Sequence, residues 1–340
     1  MGRVIDGADR AQRRWSVLGY PLAVIYKYFD DQGNYLASII TYYAFIAIFP
    51  LLLLGSSILG FILQGDSELQ QNLIDSALSQ FPIIGDQLGQ PEGLQGSTSG
   101  IVIGGLVALY GALGLGQALQ NALNAAWSVP RNSRPNPILL RLKSLFLLLT
   151  AGVAVLAISV LSTLAANTEV LGETVSSYRW PITLLTVIVN TTVLTLLYRV
   201  GAARSHRVLV GSVPGAVTAS LLWVGLQRIG TAYVTNVLAE TSQMNQTFAL
   251  VLGLIGILWL TAVIGVLGIE VNVVLERRLW PRALLTPFTD KVSLTEADKR
   301  AYAGYARAQR HKGFEKVVVT FADEHLMLPD EEDDGADHAS

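Results

Sequence analysis

The sequence predicts an all-α polytopic membrane protein with six transmembrane helices, and three observations indicate this fold class. First, 51% of the 340 residues are hydrophobic and only 15% are charged, whereas soluble domains carry about 25% charged residues. Second, six long apolar stretches divide the chain, and each exceeds or approaches the roughly 20 residues that cross a hydrocarbon core as a helix. They are residues 36–63, 99–126, 139–164, 181–199, 208–228 and 248–275. Third, the basic residues are confined to alternate connections.

The distribution of Lys and Arg predicts the orientation. These residues gather in the N-terminal segment, the second and fourth connections and the tail, while only Arg179 and Arg228 lie on the other side. Because cytoplasmic loops carry the Lys/Arg excess, we expect both termini in the cytoplasm. The sequence thus predicts a cytoplasmic segment at 1–35, a transmembrane domain at 36–276 with an outer loop at 64–98, and a cytoplasmic tail at 277–340. The acidic end at 330–340 is expected to be disordered.

An amphipathic helix is predicted before the first span. Apolar residues recur at helical spacing from Trp15 to Phe29, and Lys27 falls on or beside the other face. Such a helix suits the cytoplasmic membrane interface. The alternative is a soluble helix that packs on the cytoplasmic ends of the spans.

Proline and glycine mark the predicted spans. Pro50 predicts a kink in the first span, and glycines four residues apart in the second predict close packing of helices. The run from Gly111 to Gly116 lacks the lysine and the preceding strand of a phosphate-binding loop. The fifth span starts with an interruption at Pro214. We predict four hinge residues: Pro50, Pro214, Gly265 and Gly268.

The tail contains two predicted elements. Thr295 and Asp298 have the spacing of a capping box, which predicts the start of a charged helix that extends to Lys312. The apolar segment from Phe314 to Phe321 is interpreted as a short strand.

Polar residues of three spans are expected to meet in one layer near the cytoplasmic side. Glu270 is the only acid well inside a span, and intramembrane ionisable residues usually face the bundle interior. The candidate substrate-binding residues are Glu270, Asn272, Gln117, Asn121, Asn124, Tyr42 and Tyr43. The layer would form a hydrated cavity for a substrate or a proton. The alternative is structural, with the amides joining helices and Glu270 pairing with Arg199, Arg204 or Arg277.

Several kinds of chemistry are disfavoured by composition. The absence of cysteine excludes disulfides and thiol nucleophiles, and the four histidines have no zinc-type partner at suitable spacing. No serine lies in a nucleophile elbow. The basic residues are explained by topology, so nucleic-acid binding is not indicated. We therefore expect no catalytic residue, no metal, no cofactor and no enzyme activity.

Several short motifs carry a resemblance to a known family. They are Tyr42-Tyr43-Ala44-Phe45 with Phe49-Pro50, Tyr110-Gly111, Tyr198-Arg199, Pro214-Gly215-Ala216 and Gly268-Ile269-Glu270-Val271-Asn272. From about Trp15 to Glu276 the chain resembles the YihY/BrkB (virulence factor BrkB) family of bacterial inner-membrane proteins. The resemblance implies six helices in the bacterial plasma membrane. Some relatives are labelled ribonuclease BN, a hydrolase that needs metal-binding histidines which this chain lacks.

The function expected from these features is transport. Some members of the family are suspected of moving lipids or envelope precursors, so the resemblance implies a transporter or translocator of a lipid, an envelope precursor or a polar solute. Membrane lipids would be its partners. The alternative is a non-transporting scaffold that recruits a cytoplasmic protein partner through its tail.

Overall fold

The computed structural model describes residues 7–62, 98–152, 179–201, 209–233, 243–286 and 292–321, apart from single positions within some of these ranges. Every regular element in these residues is helical, and no strand occurs among them. The predicted outer loop up to residue 97 and the acidic end at 330–340 lie outside the described residues. Contacts divide the chain into two compact units: a larger one of Val24–Val129 and Ser133–Arg278, and a smaller one of Met1–Ala23, Pro130–Asn132 and Leu279–Ser340.

The helices follow the predicted apolar stretches closely. Helix α1 is Ser16–Asp30, and the long helices after it are α2 (Gly33–Ile62), α3 (Thr98–Ala126), α4 (Arg179–Gly201), α5 (Leu209–Tyr233) and α6 (Gln243–Arg277). Residues 138–148 are also helical, at the start of the third predicted span, whose later part lies outside the described residues. The all-α prediction is therefore confirmed for the described chain.

Two of the described helices are long and apolar enough to cross a membrane. They are the segments Leu184–Gly201 of α4 and Val251–Arg277 of α6, and the segment Gly33–Ile48 of α2 is apolar but shorter. A helix of 18 residues is about 27 Å long, which is close to the thickness of a hydrocarbon core. Both segments therefore have the dimensions of membrane spans.

Helix α6 is central in the larger unit, because it packs against α2, α3 and α5, while α4 packs against α5. Small residues permit these contacts. A Cβ atom on Gly111 of α3 would come within 3.0 Å of the Ala47 backbone of α2, and one on Gly215 of α5 would come within 1.8 Å of the Gly268 carbonyl oxygen. Among the glycines of the second span, Gly111, Gly114 and Gly116 therefore lie at close contacts with neighbouring residues, as expected for helix packing.

The predicted interruption of the fifth span at Pro214 is wrong, because the helix is not broken there. Helix α5 begins at Leu209 and continues through Pro214. The backbone N–H of the next residue, Gly215, donates to Oδ1 of Asn272 at 2.7 Å, so α6 satisfies a donor beside the proline. Pro50 lies within α2, but its side chain is not among the described residues. The predicted kink at Pro50 therefore stays a prediction.

The smaller unit is organised by a buried ion pair. Arg282 pairs through Nε with the Asp298 carboxylate, and both side chains are at most 1% exposed. Asp298 also accepts from the Ala283 N–H at 3.0 Å. From the N-terminal segment, the Gln12 amide donates to the Arg282 carbonyl oxygen at 2.5 Å. One arginine and one aspartate thus join distant parts of the chain within this unit.

The predicted helix of the tail is confirmed at its start. Helix α7 (Glu296–Ala308) has Thr295 as its N-cap, and Thr295 and Asp298 form the reciprocal capping box. The helix ends at Ala308, before the predicted end at Lys312. The strand interpretation of residues 314–321 is wrong, since no strand is present in that segment.

Candidate functional site

A tight corner between α1 and α2 positions two charged residues. Helix α1 ends at Asp30, Gln32 takes a left-handed φ of 57° in the turn, and α2 begins at Gly33. A Cβ atom on Gly33 would lie 2.3 Å from the Tyr28 ring, so the close turn requires glycine. The corner holds Asp31 four residues after Lys27, where the carboxylate accepts from the Lys27 ammonium.

The C-terminus of α3 provides a second part of the site. Ser128 has a left-handed φ of 47°, and two backbone bonds close the helix in a Schellman motif: Val129 N to Asn124 O at 2.8 Å and Ser128 N to Ala125 O at 2.7 Å. These bonds do not use the carbonyls of Ala126 and Trp127. The Ala126 oxygen accepts from Lys27 Nζ at 3.0 Å, and the Trp127 oxygen accepts from the Arg277 guanidinium. Both cations lie at the negative end of the helix dipole.

The third part of the site is Glu270 on α6. Its Oε2 atom is 3.6 Å from Lys27 Nζ, and the side chains of both residues are at most 1% exposed. The Asp31 side chain is 5% exposed and pairs with the same Lys27 ammonium. Neither oxygen of Glu270 accepts a hydrogen bond from a donor in the described part of the chain. We call Lys27, Asp31 and Glu270 the buried ion cluster.

The buried ion cluster contains one ammonium and two carboxyl groups. Burial raises the pKa of Asp31, against the opposing effect of the Lys27 charge and its hydrogen bond. Burial also raises the pKa of Tyr28, and the negative charge of Glu270 adds to that effect. Two carboxyl groups therefore share one cation in a buried site, where burial penalises the charged forms.

Two expectations about charged residues are corrected by this geometry. Lys27 does not lie on an exposed polar face of α1 but is almost completely buried, because its neighbours on that side are α3 and α6. The cation beside Glu270 is Lys27, whereas Arg277 binds the end of α3 and Arg199 is exposed. Arg204 lies outside the described residues. The signal for Lys27 was present in the sequence as a lysine four residues before an aspartate.

Most of the predicted apolar stripe of α1 is exposed, as an interfacial helix requires, but Tyr26 of that stripe is buried. Trp15, beside its first turn, is 64% exposed, and Val17, Leu18 and Phe29 within the helix are 82%, 54% and 62% exposed. Exposed patches of large apolar side chains indicate a lipid or protein contact. The buried face of the same helix carries Tyr26, Lys27 and Tyr28.

The polar layer predicted for the second and sixth spans is only partly assembled. Asn124 is buried at the end of α3, but Gln117 and Asn121 are exposed on the same helix. Asn272 is buried, and its side-chain oxygen is occupied by the Gly215 N–H. Of the amide residues that were predicted, Asn124 and Asn272 therefore face the packed interior.

The predicted tyrosines lie in a different layer from Glu270. Tyr42 is 56% exposed, and the Tyr43 ring packs against Gly114, where a Cβ atom would approach it to 2.1 Å. Gly114 is 12 residues before Ala126, which corresponds to about 18 Å along α3. Lys27 contacts Ala126, so the buried ion cluster is remote from the tyrosines.

Gln120 is a buried amide that was not among the predicted site residues. Its Nε2 atom donates to Ser144 Oγ at 2.8 Å and to the Leu140 carbonyl oxygen at 3.0 Å. Gln120 thereby joins α3 to the helical segment 138–148. Helical spacing places Gln120 off the face shared by Gln117, Asn121 and Asn124, but it does not indicate which of these sides is buried.

The predicted hinge glycines have different surroundings. A Cβ atom on Gly268 would lie 2.5 Å from the Tyr198 hydroxyl, whereas one on Gly265 would have no neighbour within 4 Å. The Tyr198 hydroxyl donates to the Gly265 carbonyl oxygen at 2.9 Å and so ties α4 to α6.

Long apolar helices around a buried ion cluster are features of a helical membrane protein. The family comparison agrees, because the family model described as virulence factor BrkB matches residues 24–289, and the chain belongs to this family. The matched region contains all three residues of the buried ion cluster. No curated protein and no solved structure matches the chain.

Proposed function

We propose that this chain is a multi-pass protein of the bacterial plasma membrane with six spans and both termini in the cytoplasm. The described helices coincide with five of the apolar stretches and with the start of the remaining one at 139–164, which supports six spans. The positions of the basic residues support the orientation. In this topology the buried ion cluster is near the cytoplasmic ends of α3 and α6.

The chain lacks cysteine, which makes this topology directly testable. Single cysteines at Gln90 and Gln309 would be labelled with a membrane-impermeant maleimide in intact spheroplasts. Cysteine at position 90 should react from outside, and cysteine at 309 should react only after the membrane is permeabilised. Reaction at 309 in sealed spheroplasts would overturn the orientation.

The proposed activity is movement of a lipid, an envelope precursor or a polar solute from the cytoplasmic side of the membrane. The observation that carries this proposal is the buried ion cluster. Burying an ion costs several kcal/mol, and apolar residues of similar volume often hold a protein together as well or better. Ionisable groups within transmembrane segments mark transport pathways and proton relays. We assign the chain no catalytic residue and no cofactor.

A reconstituted assay tests the activity. The purified chain would be placed in liposomes that contain a fluorescent headgroup-labelled phosphatidylglycerol, and dithionite would report lipid that reaches the outer leaflet. The wild type should accelerate the second phase of quenching, and Glu270→Gln should slow it at least about tenfold, the factor that corresponds to 1.4 kcal/mol in a barrier. Glu276→Gln is the matched control, since Glu276 is an exposed carboxylate six residues along the same helix.

Two results would contradict the proposal. One is a wild-type rate equal to that of empty liposomes, both for this lipid and for a lipid-linked sugar precursor. The other is an equal loss of activity in Glu270→Gln and Glu276→Gln, because the buried ion cluster would then have no special role.

A scaffold for a cytoplasmic protein is the second candidate function. The observation in its favour is that the tail belongs to the smaller compact unit and contributes its buried ion pair between Arg282 and Asp298. Deletion from residue 286 would remove Asp298 and leave Arg282 buried without its carboxylate. A stop codon after Phe321 avoids this damage. A scaffold that binds through the acidic end should lose its partner in this variant, whereas a transporter should retain its rate.

A further inference from the structure

The carboxyl group of Glu270 is buried beside Lys27, and Lys27 also pairs with Asp31. Both oxygens of Glu270 are buried, and no donor of the described chain bonds to them. The Lys27 ammonium is 3.6 Å from Oε2, while it donates to Asp31 and to the Ala126 carbonyl. Ionised carboxylates only accept hydrogen bonds. A proton on either Asp31 or Glu270 would remove one of the two negative charges that share this ammonium.

The charge balance of the buried ion cluster favours one bound proton. One ammonium and two carboxylates carry one net negative charge, and a single proton makes the cluster neutral. The helices that pack on α6 supply no compensating charge, because α2 and α3 contain no charged residue and α5 contains only Arg228. Two other titratable residues act on the pair: Asp30 on Asp31, and Tyr28 with Glu270. Arg277, on the same helix as Glu270, donates to the Trp127 carbonyl oxygen.

We propose that Asp31 and Glu270, which both face the Lys27 ammonium, form a binding site for one exchangeable proton. Protonation forms an O–H bond on a carboxylate oxygen with a proton taken from cytoplasmic water, and release returns that proton to water without any redox change. Release leaves a net negative charge in a site that is almost without solvent, and this favours entry of water or separation of the α1–α2 corner from α6. If the proposed transport function holds, the site provides a means of coupling transport to protons.

The first experiment detects the proton itself and does not depend on transport. Infrared spectra of the full chain in nanodiscs would be recorded from pH 4 to pH 9, and the carbonyl band of a protonated carboxylic acid would be followed. The wild type should show one such band above pH 5, where ordinary carboxyl groups are ionised, and it should shift in D₂O. Asp31→Asn and Glu270→Gln should each lose it, since one carboxylate then matches one ammonium, and Glu276→Gln should retain it.

The infrared spectrum of the wild type is sufficient to overturn the proposed proton site. If no protonated carboxyl band is present between pH 5 and pH 8, the buried ion cluster is a static ion pair with an unsatisfied carboxylate. A band that persists in both Asp31→Asn and Glu270→Gln, with circular dichroism showing that they are folded, would place the proton elsewhere.

A second experiment separates this inference from the proposed function. Liposomes with the labelled phosphatidylglycerol would be given a pH difference of two units across the membrane in either direction. A proton-coupled carrier should change its rate at least tenfold between the two directions, and Glu270→Gln should remove that difference. If the band is present and no lipid moves, the proton site stands and the transport proposal fails. If lipid moves at the same rate in both directions, the coupling fails.

Discussion

Replacement of Lys27 by methionine would show how far the buried ion cluster stabilises the larger unit. Methionine keeps most of the length of the side chain and removes the charge, so packing changes little. Two carboxyl groups then remain in the site without a cation, and the Ala126 carbonyl loses its donor. Removal of one partner from a buried ion pair typically costs about 3–5 kcal/mol. We expect Lys27→Met to lower the free energy of unfolding by that amount at pH 7.

The companion variant is expected to behave differently. Glu270→Gln leaves one ammonium and one carboxylate, and these retain their direct hydrogen bond. It should therefore change the free energy of unfolding by less than about 1 kcal/mol, within the range of substitutions that break no buried pair. In the double variant the two effects should not add, since the residues belong to one network, and a coupling of about 0.5–3 kcal/mol is expected.

The measurement is equilibrium unfolding of the purified chain in mixed micelles, with increasing SDS and circular dichroism as the signal. Lys299→Met is the matched control, because Lys299 is 40% exposed and forms only a surface pair with Glu296 at 3.2 Å. Such a pair contributes about 0–1 kcal/mol. The reasoning would be refuted if Lys27→Met were no less stable than Lys299→Met, or if Glu270→Gln were destabilised as much as Lys27→Met.

Three further predictions concern pH, helix packing and the smaller unit. The pKa of Asp31 is raised in the folded chain, so protonation of Asp31 stabilises the fold. This contribution to the free energy of unfolding is complete below the ordinary pKa of 3.8 and is lost as pH rises. The melting temperature should therefore fall from pH 4 to pH 8, and Asp31→Asn should flatten this dependence. Gly268→Ala should lower the free energy of unfolding by about 1–3 kcal/mol through overpacking, whereas Gly265→Ala, which has open space at Cβ, should be neutral or stabilising; equal effects would refute the packing argument. Asp298→Ala should cost about 3–5 kcal/mol by leaving Arg282 without its carboxylate, and limited proteolysis should cut the tail faster; unchanged cleavage would contradict it.

Local sequence patterns predicted the helices well because the causes of those helices are local. In a membrane the backbone N–H and C=O groups of a long apolar stretch have no water to bind, so they must bond to each other in a helix. The capping box of α7 was visible as Thr295 and Asp298 for the same reason, since both halves of the motif lie within one turn. The strand interpretation of residues 314–321 failed because an apolar run becomes a strand only when another strand pairs with it.

The candidate site was predicted less completely, as Gln117 and Gln120 illustrate. Both are glutamines in the last turns of α3, and yet Gln117 is exposed while Gln120 is buried against Ser144. A polar pattern along one helix does not say which side the next helix will cover. The position of a neighbouring helix depends on contacts such as Gly215 with Gly268, and these are made between residues that are distant in the chain.

The sequence by itself determined that this protein is helical, where its long helices run, that Glu270 is an unusual acid in an apolar segment, and to which family the chain is related. Only the tertiary structure decided that Lys27, rather than an arginine, is the cation beside Glu270, and that Asp31 supplies a second carboxyl group. The physical reason is that helix formation follows from neighbouring residues, whereas the charge balance of a buried site depends on which helices meet there.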